Sequence, residues 1–526
     1  MRNFCFFFAT ALVLVSCNDR EYRNWNVPVN GEEGFSHDMI VLGEQLPDPY
    51  SVDNMTKALA AVAGSGRAAV EPTDFYVRFL PKDEAQMRVL TDQGVELIDH
   101  PLDYRIVREG DWYHDPSVPE DEITWQYAVV PVDFDFPRNI RYERLDECYL
   151  PDHAPSTKAD GIDWEAVERE AYRITGNGSM LLPATRDGAS QAAMPKGRIS
   201  ISDPDFDTEP VGVKGVKVCC NSFVKFSVCY TDDEGYYRMS KSYSSSVRFR
   251  LVFQNIKGFS QGINYILLPL SISTLGEQPA SGVDVDIDCY SERKLFIRCV
   301  VNNAGYDYIA ASRASSGALP APPRDFRVWN FELLDCELTT MMHHGVLIET
   351  MASLVDVPKE YQALMKLCQG DAILGHAGAE TYADVYARAL HIFAHAGHFS
   401  RVDKDWWWNY FEYCLRSYVA SGFGNSYGVA GDTGCEYAEI AEMYAFYCQN
   451  MLMNRRYPDL QTLDGTDYWF CPQLLMYLDD RGLGLEQLAP LFTSDVVSLE
   501  VFHDKLLSYY PQFKTVINEA FARYGK

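Results

Sequence analysis

Apolar and polar positions divide the chain into three textures. Over about 37–195, helical and strand periods follow one another. Val52–Ala63 repeats its apolar residues at helical spacing and Asp74–Leu80 alternates like a strand. Residues 82–93 are rich in helix formers, and 126–132 form a further apolar run. An α+β region is predicted there. Over about 196–275 the pattern becomes short β-branched runs at 197–201, 215–218, 231–237 and 247–253, split by turn residues, which predicts a small β-sandwich. A second β-rich stretch is expected to end near Asn303, and 315–323 reads as an extended connection. Beyond it the helical period dominates, with windows at about 338–353, 381–399, 404–420 and 435–453 and a loop at 422–434. The fold class predicted is multi-domain α+β, ending in a mainly helical domain over 276–526.

The first residues set the expected compartment. Met1-Arg2-Asn3 is a short cationic start, and the apolar run from Phe6 to Val15 is too short to span a bilayer as a mature helix. It ends in Leu14-Val15-Ser16-Cys17, which resembles a bacterial lipobox, so 1–16 reads as a lipoprotein signal peptide with lipid placed on Cys17. Residues 17–36 are polar and aperiodic, suiting a tether. The start of the mature chain, Cys17-Asn18-Asp19-Arg20-Glu21, is a diluted form of the acidic tail some Bacteroidetes lipoproteins use for surface export, which implies the outer membrane. A formal charge of −28, with no Lys/Arg-rich run to offset it, argues against a nucleic-acid partner. Apart from Cys5 and Cys17, the cysteines lie between Cys148 and Cys471 without a repeated spacing, so buried free thiols are expected.

Three phrases of the leading region, DPYSVDNMTKAL, DFYVRFLPKDE and WQYAVVPVDFDFP, resemble Bacteroides-type lipoproteins, a likeness that carries no activity. The 196–275 segment, where a GVKV run precedes Thr231-Asp232-Asp233-Glu234-Gly235-Tyr236-Tyr237, resembles the transthyretin-type regulatory domain of carboxypeptidases. That resemblance implies a spacer or packing partner.

The chemistry concentrates in one helix. His391, His395 and His398 are offset by four and seven residues and fall within about a 60° arc. Asp384 and Arg388 lie on the same side, making them candidates to line a site. Histidines at i and i+4 can present ring nitrogens to one tetrahedral metal, as in the H-E-x-x-H helix of zincins. Here the residue after the first histidine is Ile392. In a zincin that glutamate is the general base, and isoleucine accepts no proton at any pH.

A third ligand would come from the run Cys435 to Tyr447, which starts 40 residues after His395. With the tryptophan-rich Asp405-Trp406-Trp407-Trp408, it resembles the later helix of gluzincin-type zinc metallopeptidase lipoproteins. The resemblance implies Glu442 as ligand with Glu439 as rival, zinc as the metal, and a domain that has lost peptidase chemistry and binds a peptide or glycan. Two alternatives stand beside it: a hydrolase using Glu436 or Glu439 as substitute base, and a purely structural surface component. His343, His344 and His376 have no such companions, which points to core or surface roles.

Overall fold

The computed structural model describes residues 39–525, apart from 65–68, 120–121, 155–160, 184–191, 207–208, 263–269, 332–334, 336, 347–369, 422–424 and 461–462. The stretches read as signal peptide and tether, with Cys17, lie outside the described residues. Those that are described form mixed α and β structure in several sheets.

The N-terminal region contains β1 (Val41–Gln45), α1 (Val52–Ala63), β2 (Asp74–Leu80), α2 (Glu84–Asp92), β3 (Tyr104–Arg108), β4 (Gln126–Pro131), β5 (Arg141–Cys148) and α3 (Trp164–Ile174). Helix α1 starts where the Ser51 hydroxyl accepts the Asn54 amide, and Met55, Ala58 and Leu59 make its buried face. Strand β2 is central in a three-stranded antiparallel sheet of order β4-β2-β5, while β1 and β3 form a separate ribbon.

Next come β6 (Lys196–Ile201), β7 (Val211–Gly212), β8 (Val216–Ser222), β9 (Lys225–Tyr230), β10 (Tyr236–Arg238), β11 (Val247–Asn255), β12 (Phe259–Gly262), β13 (Ile272–Gln278) and β14 (Val285–Ile287). β6 pairs with β7, β10 and β14 in one sheet, and β11 pairs with β8 and β13 in the other. Ile199, Ile201, Val218, Tyr237, Phe249, Leu251 and Leu275 fill the space between. The pairing does not stop at 275, which falls inside β13. The last turn of β11 hands over to β12 (Gln254 opposite Ser260), and the same sheet continues through β15 (Phe326–Phe331), β16 (Glu337–Thr339) and β17 (Ala372–Gly375). β12, β15 and β17 run parallel, and β16 is an antiparallel edge strand on β17.

The stretch expected to be β-rich up to Asn303 holds the end of β13 and the short β14, but from Arg293 onward it is helix α4 (Arg293–Ala314). Its Ile297, Val300 and Val301 read as a strand, and because it is buried on nearly every side it shows no amphipathic period to correct that reading. The window at 338–353 also differs. Glu337–Thr339 pairs with β17, a turn follows at 342–345, and 347–353 lies outside the described residues. The remaining helices are α5 (Tyr382–Phe399), α6 (Lys404–Ala420), α7 (Cys435–Arg456), α8 (Pro472–Asp479), α9 (Leu485–Leu488), α10 (Leu499–Tyr509) and α11 (Lys514–Arg523). Ten cysteines are described, all unbridged and most of them buried.

Charged contacts hold the N-terminal region to the rest. Lys217 meets Glu96 at 2.6 Å, Arg248 meets Glu109 at 2.8 Å, Arg298 meets Asp111 at 3.4 Å, and Arg327 meets Glu84. Lys225 is buried and lies 2.8 Å from the buried Glu168, beside Phe223 and Val224, which enter the N-terminal core.

Candidate metal centre

Helix α5 is built to be rigid. Its first turn is a reciprocal cap in which the Thr381 hydroxyl accepts the Asp384 amide at 3.2 Å and the Asp384 carboxylate accepts the Thr381 amide at 2.8 Å. Asp384 therefore ends its own helix and does not line the site. On the side away from the histidines, Phe393 packs edge-on to Phe259 and Phe326 at 5.0 Å. The space it occupies is left by Gly305 of α4, where a Cβ would lie 2.7 Å from the Phe259 ring and still closer to Phe393.

The other side of α5 faces α7. His391 Nε2 and His395 Nε2 are 3.0 Å apart, and Glu442 Oε2 lies 3.2 Å from the first and 3.3 Å from the second. All three side chains are buried, and their ligand atoms fall within 4.8 Å of one another, so this group could hold a metal ion. Glu436 and Glu439 start the same helix but take no part. Glu436 is exposed, Glu439 is half-buried, and the group that could hold a metal ion includes neither.

The surroundings fix each ligand. Asp464 can only accept, so the Gln449 amide nitrogen donates to it at 2.5 Å and the Gln449 oxygen faces His391 Nδ1 at 3.1 Å. That oxygen needs a donor, which puts a proton on Nδ1 and turns the Nε2 side toward Glu442. Tyr410 donates to Glu442 Oε1 at 2.7 Å, and its ring stacks on His395 with centroids 5.3 Å apart. Phe446 closes the far side of His391 at 4.3 Å.

Burial opposes charge on all three ligands, and their mutual attraction decides the outcome. The two imidazoles overcome the burial penalty on Glu442 and hold its carboxyl well below the usual range. Burial also works against a charged His391, but Glu442 and Glu337 outweigh it and raise its pKa. For His395 burial wins, helped by the His391 charge, and its pKa falls. The shifts on Glu442 and His391 thus favour a carboxylate facing a charged imidazole, and the shift on His395 favours its neutral form.

Arg388 and His398 do not line the centre as their place on the helix suggests. Arg388 reaches back, donating to Asp335 at 2.7 Å and to the Gly375 carbonyl at 2.8 Å, with Glu337 3.4 Å from its Nε. It ties α5 to the ends of β16 and β17. His398 sits one turn beyond the triad, in a box of Trp406, Trp407, Tyr444 and Phe492. Neither of its ring nitrogens has a hydrogen-bond partner among the described residues, and burial, with His395 and Arg401, pushes its pKa down to about 3. His343 and His344 bond to Asp325 and Asp371, away from the triad. Burial lowers the pKa of His376 to about 4, and it too stands apart.

No spacing or motif pointed to Glu337. It lies on edge strand β16, and burial raises its carboxyl while His391 and Arg388 pull it down and Glu442 pushes it up. It is the further carboxylate whose charge reaches both His391 and Glu442. Tyr427 and Tyr468, whose own pKa values are raised by burial and by those same two acids, complete the aromatic wall. Gln449 was within reach of sequence reasoning, because it falls seven residues after Glu442 on one helix face. Asp464, in a loop, was not.

His398 supplies a test of this description. Between about pH 6.5, where an unfolded histidine takes up its proton, and about pH 3, the unfolded chain binds the proton first, so this residue makes stability fall as pH falls. His398→Phe is expected to gain about 1–3 kcal/mol at neutral pH by removing unpaired polar atoms, and to lose less stability on acidification. Denaturant titrations at pH 7 and pH 5 check both, and equal acid sensitivity in the two proteins refutes the description. No protein-family model, curated protein or solved structure matches this chain, so the meaning of the centre rests on the chemistry of its own side chains.

Proposed function

We propose that the chain is an outer-membrane lipoprotein, anchored through Cys17, whose C-terminal block carries a zinc site of degenerate metallopeptidase type and binds a peptide or glycan without cleaving it. The observation that carries this reading is the convergence of His391, His395 and Glu442 beside a position where a base is replaced by Ile392. A tetrahedral zinc with bonds of about 2.0–2.2 Å needs ligand atoms roughly 3.3–3.5 Å apart. Of the triad's separations, 3.3 Å reaches that range and 3.0 and 3.2 Å fall just short of it, so the ligands fit the ion with a spread of a few tenths of an ångström. Two nitrogens and one carboxylate are also the donor set zinc prefers.

A bound zinc supplies Lewis acidity at such a site. What the chain adds is positioning: Gln449 and Asp464 orient His391, and Tyr410 holds Glu442. Ile392 is fully buried in the apolar core and accepts no proton. One observation favours a second reading, in which the protein is a hydrolase. Glu337 is a half-buried carboxylate with a raised pKa that feels both His391 and Glu442, so it could hold a proton where Ile392 cannot.

Three measurements test these readings. Elemental analysis of protein purified without chelator is expected to find about one zinc per chain, lost when His391 and His395 are both changed to Ala; equal metal in the two refutes the site. With zinc present, wild type is expected to leave a mixed peptide library intact while Ile392→Glu cleaves it. Wild-type turnover that disappears in Glu337→Gln instead establishes the hydrolase. Cys17→Ser is expected to move the protein from the membrane pellet to the soluble fraction, and unchanged pelleting refutes the anchor.

A further inference from the structure

A second cavity, remote from the metal centre in sequence, lies in the seam between the N-terminal region and the strands of the central sheet. It has a volume of about 190 Å³. Its floor is one face of that sheet. On β11, Phe249, Leu251 and Phe253 point into the sandwich core, so Arg248, Arg250 and Val252 point the other way, toward the N-terminal region. Lys217 and Cys219 of β8 and Phe226 and Val228 of β9 share this face. Met87 and Leu97 come from the opposite side of the seam.

Four basic residues on the sheet and α4 side of this seam have an acidic partner across it: Lys217 with Glu96, Arg248 with Glu109, Arg298 with Asp111, and Arg327 with Glu84. Arg250 sits among them and has none. It is 7% exposed, its Nε is buried without a hydrogen-bond partner, and among the described residues no carboxylate lies within ion-pair distance of its guanidinium. Of the four acids that line the cavity, Glu84, Glu96 and Asp325 pair with Arg327, Lys217 and Arg88, and the fourth is Asp99. Its two oxygens are already engaged, one with His100 Nδ1 at 2.9 Å and one with the Tyr113 amide at 2.6 Å. Burying an unpaired cation is costly, and a buried guanidinium ordinarily finds an anion.

We propose that this cavity binds a small carboxylic acid with a compact apolar body, its carboxylate gripped by Arg250 and its body packed against Met87, Leu97, Phe226, Val228 and Val252. The planar fork of arginine matches a carboxylate through two parallel hydrogen bonds. The apolar walls select against a bare inorganic anion. The volume, equal to about six waters at ~30 Å³ each, is below the ~300–1,000 Å³ of sites for drug-sized molecules, so the occupant is small. It spans the seam, and its binding therefore strengthens the attachment of the N-terminal region.

The test uses the whole purified chain with benzoate as probe, benzamide as its neutral analogue and inorganic phosphate as the bare anion. Benzoate at millimolar concentration is expected to raise the melting temperature and give a saturable calorimetric isotherm. Benzamide and phosphate are expected to bind at least tenfold more weakly. Arg250→Gln should abolish benzoate binding while melting no lower than wild type without ligand, because it removes an unpaired charge. Val228→Phe, which keeps the arginine and fills the cavity, should abolish binding as well, and it keeps the test open if Arg250→Gln does not fold. Benzoate binding that survives either substitution, absence of benzoate binding to wild type, or phosphate binding as tight as benzoate each overturns the proposal. So does a ligand-free Arg250→Gln that folds but is clearly less stable than wild type, since Arg250 would then already have a partner.

Discussion

The centre depends on one contact it does not include. Phe393 enters the space left by Gly305 and meets Phe259 and Phe326, so α5 is held against α4 and the sheet on the side opposite its histidines. A helix fixed on one side cannot rotate, and the residues two positions to either side of Phe393 inherit that orientation. His391 and His395 are aimed at α7 for this reason, and Glu442 meets them there. Gly397 repeats the device one turn later, where a Cβ would strike the Pro320 carbonyl and the Tyr308 hydroxyl. The polar ligands are thus placed by apolar packing, and their own attraction acts on a geometry already set.

What the sequence made legible follows from how strongly each segment's local pattern agreed with its surroundings. The three helices that carry or enclose the triad start and end close to where the sequence places them: α5 opens on the Thr381 cap, α6 where Asp403 accepts the Trp406 amide, and α7 directly after the glycine-bearing loop that ends at Gly434. The pairing of His391 and His395 followed from spacing alone. The central helix α4 was misread because full burial erases the amphipathic signal and leaves only its β-branched residues to suggest a strand. Asp384 and His398 show the limit of reasoning by helix face. A shared arc says that two side chains leave a helix in similar directions, and what they meet depends on neighbours the arc does not know. Asp384 meets backbone amides at the start of its helix, and His398 meets four aromatic rings. Glu337 could not have been found this way, because its relation to the triad is made by a three-residue edge strand distant in sequence.

Buried charge is a recurring element of the architecture, and it is compensated in most places. Lys225 with Glu168, Arg298 with Asp111 and the triad itself each pair opposite charges away from water, where the loss of one partner strands the other. In a chain whose formal charge is −28 the buried cations are few against many acids, so the acids that pair with them are a selected set placed by strand face and helix turn. Arg250, without an acidic partner among the described residues, stands out against that background.

The continuity of β11 with β12 bears on how such a protein can be assembled from parts. A β-sandwich closed on itself behaves as a bead on a string, and recombination can move it between chains because its hydrogen bonds travel with it. Here the last turn of β11 hydrogen-bonds into the sheet that leads to β17 and α5, and one apolar core runs from Ile199 to Phe521. Cutting between sandwich and helices would leave an open sheet edge on both pieces. A change that suits the sandwich alone therefore also has to be tolerated by the strands beneath the candidate metal centre.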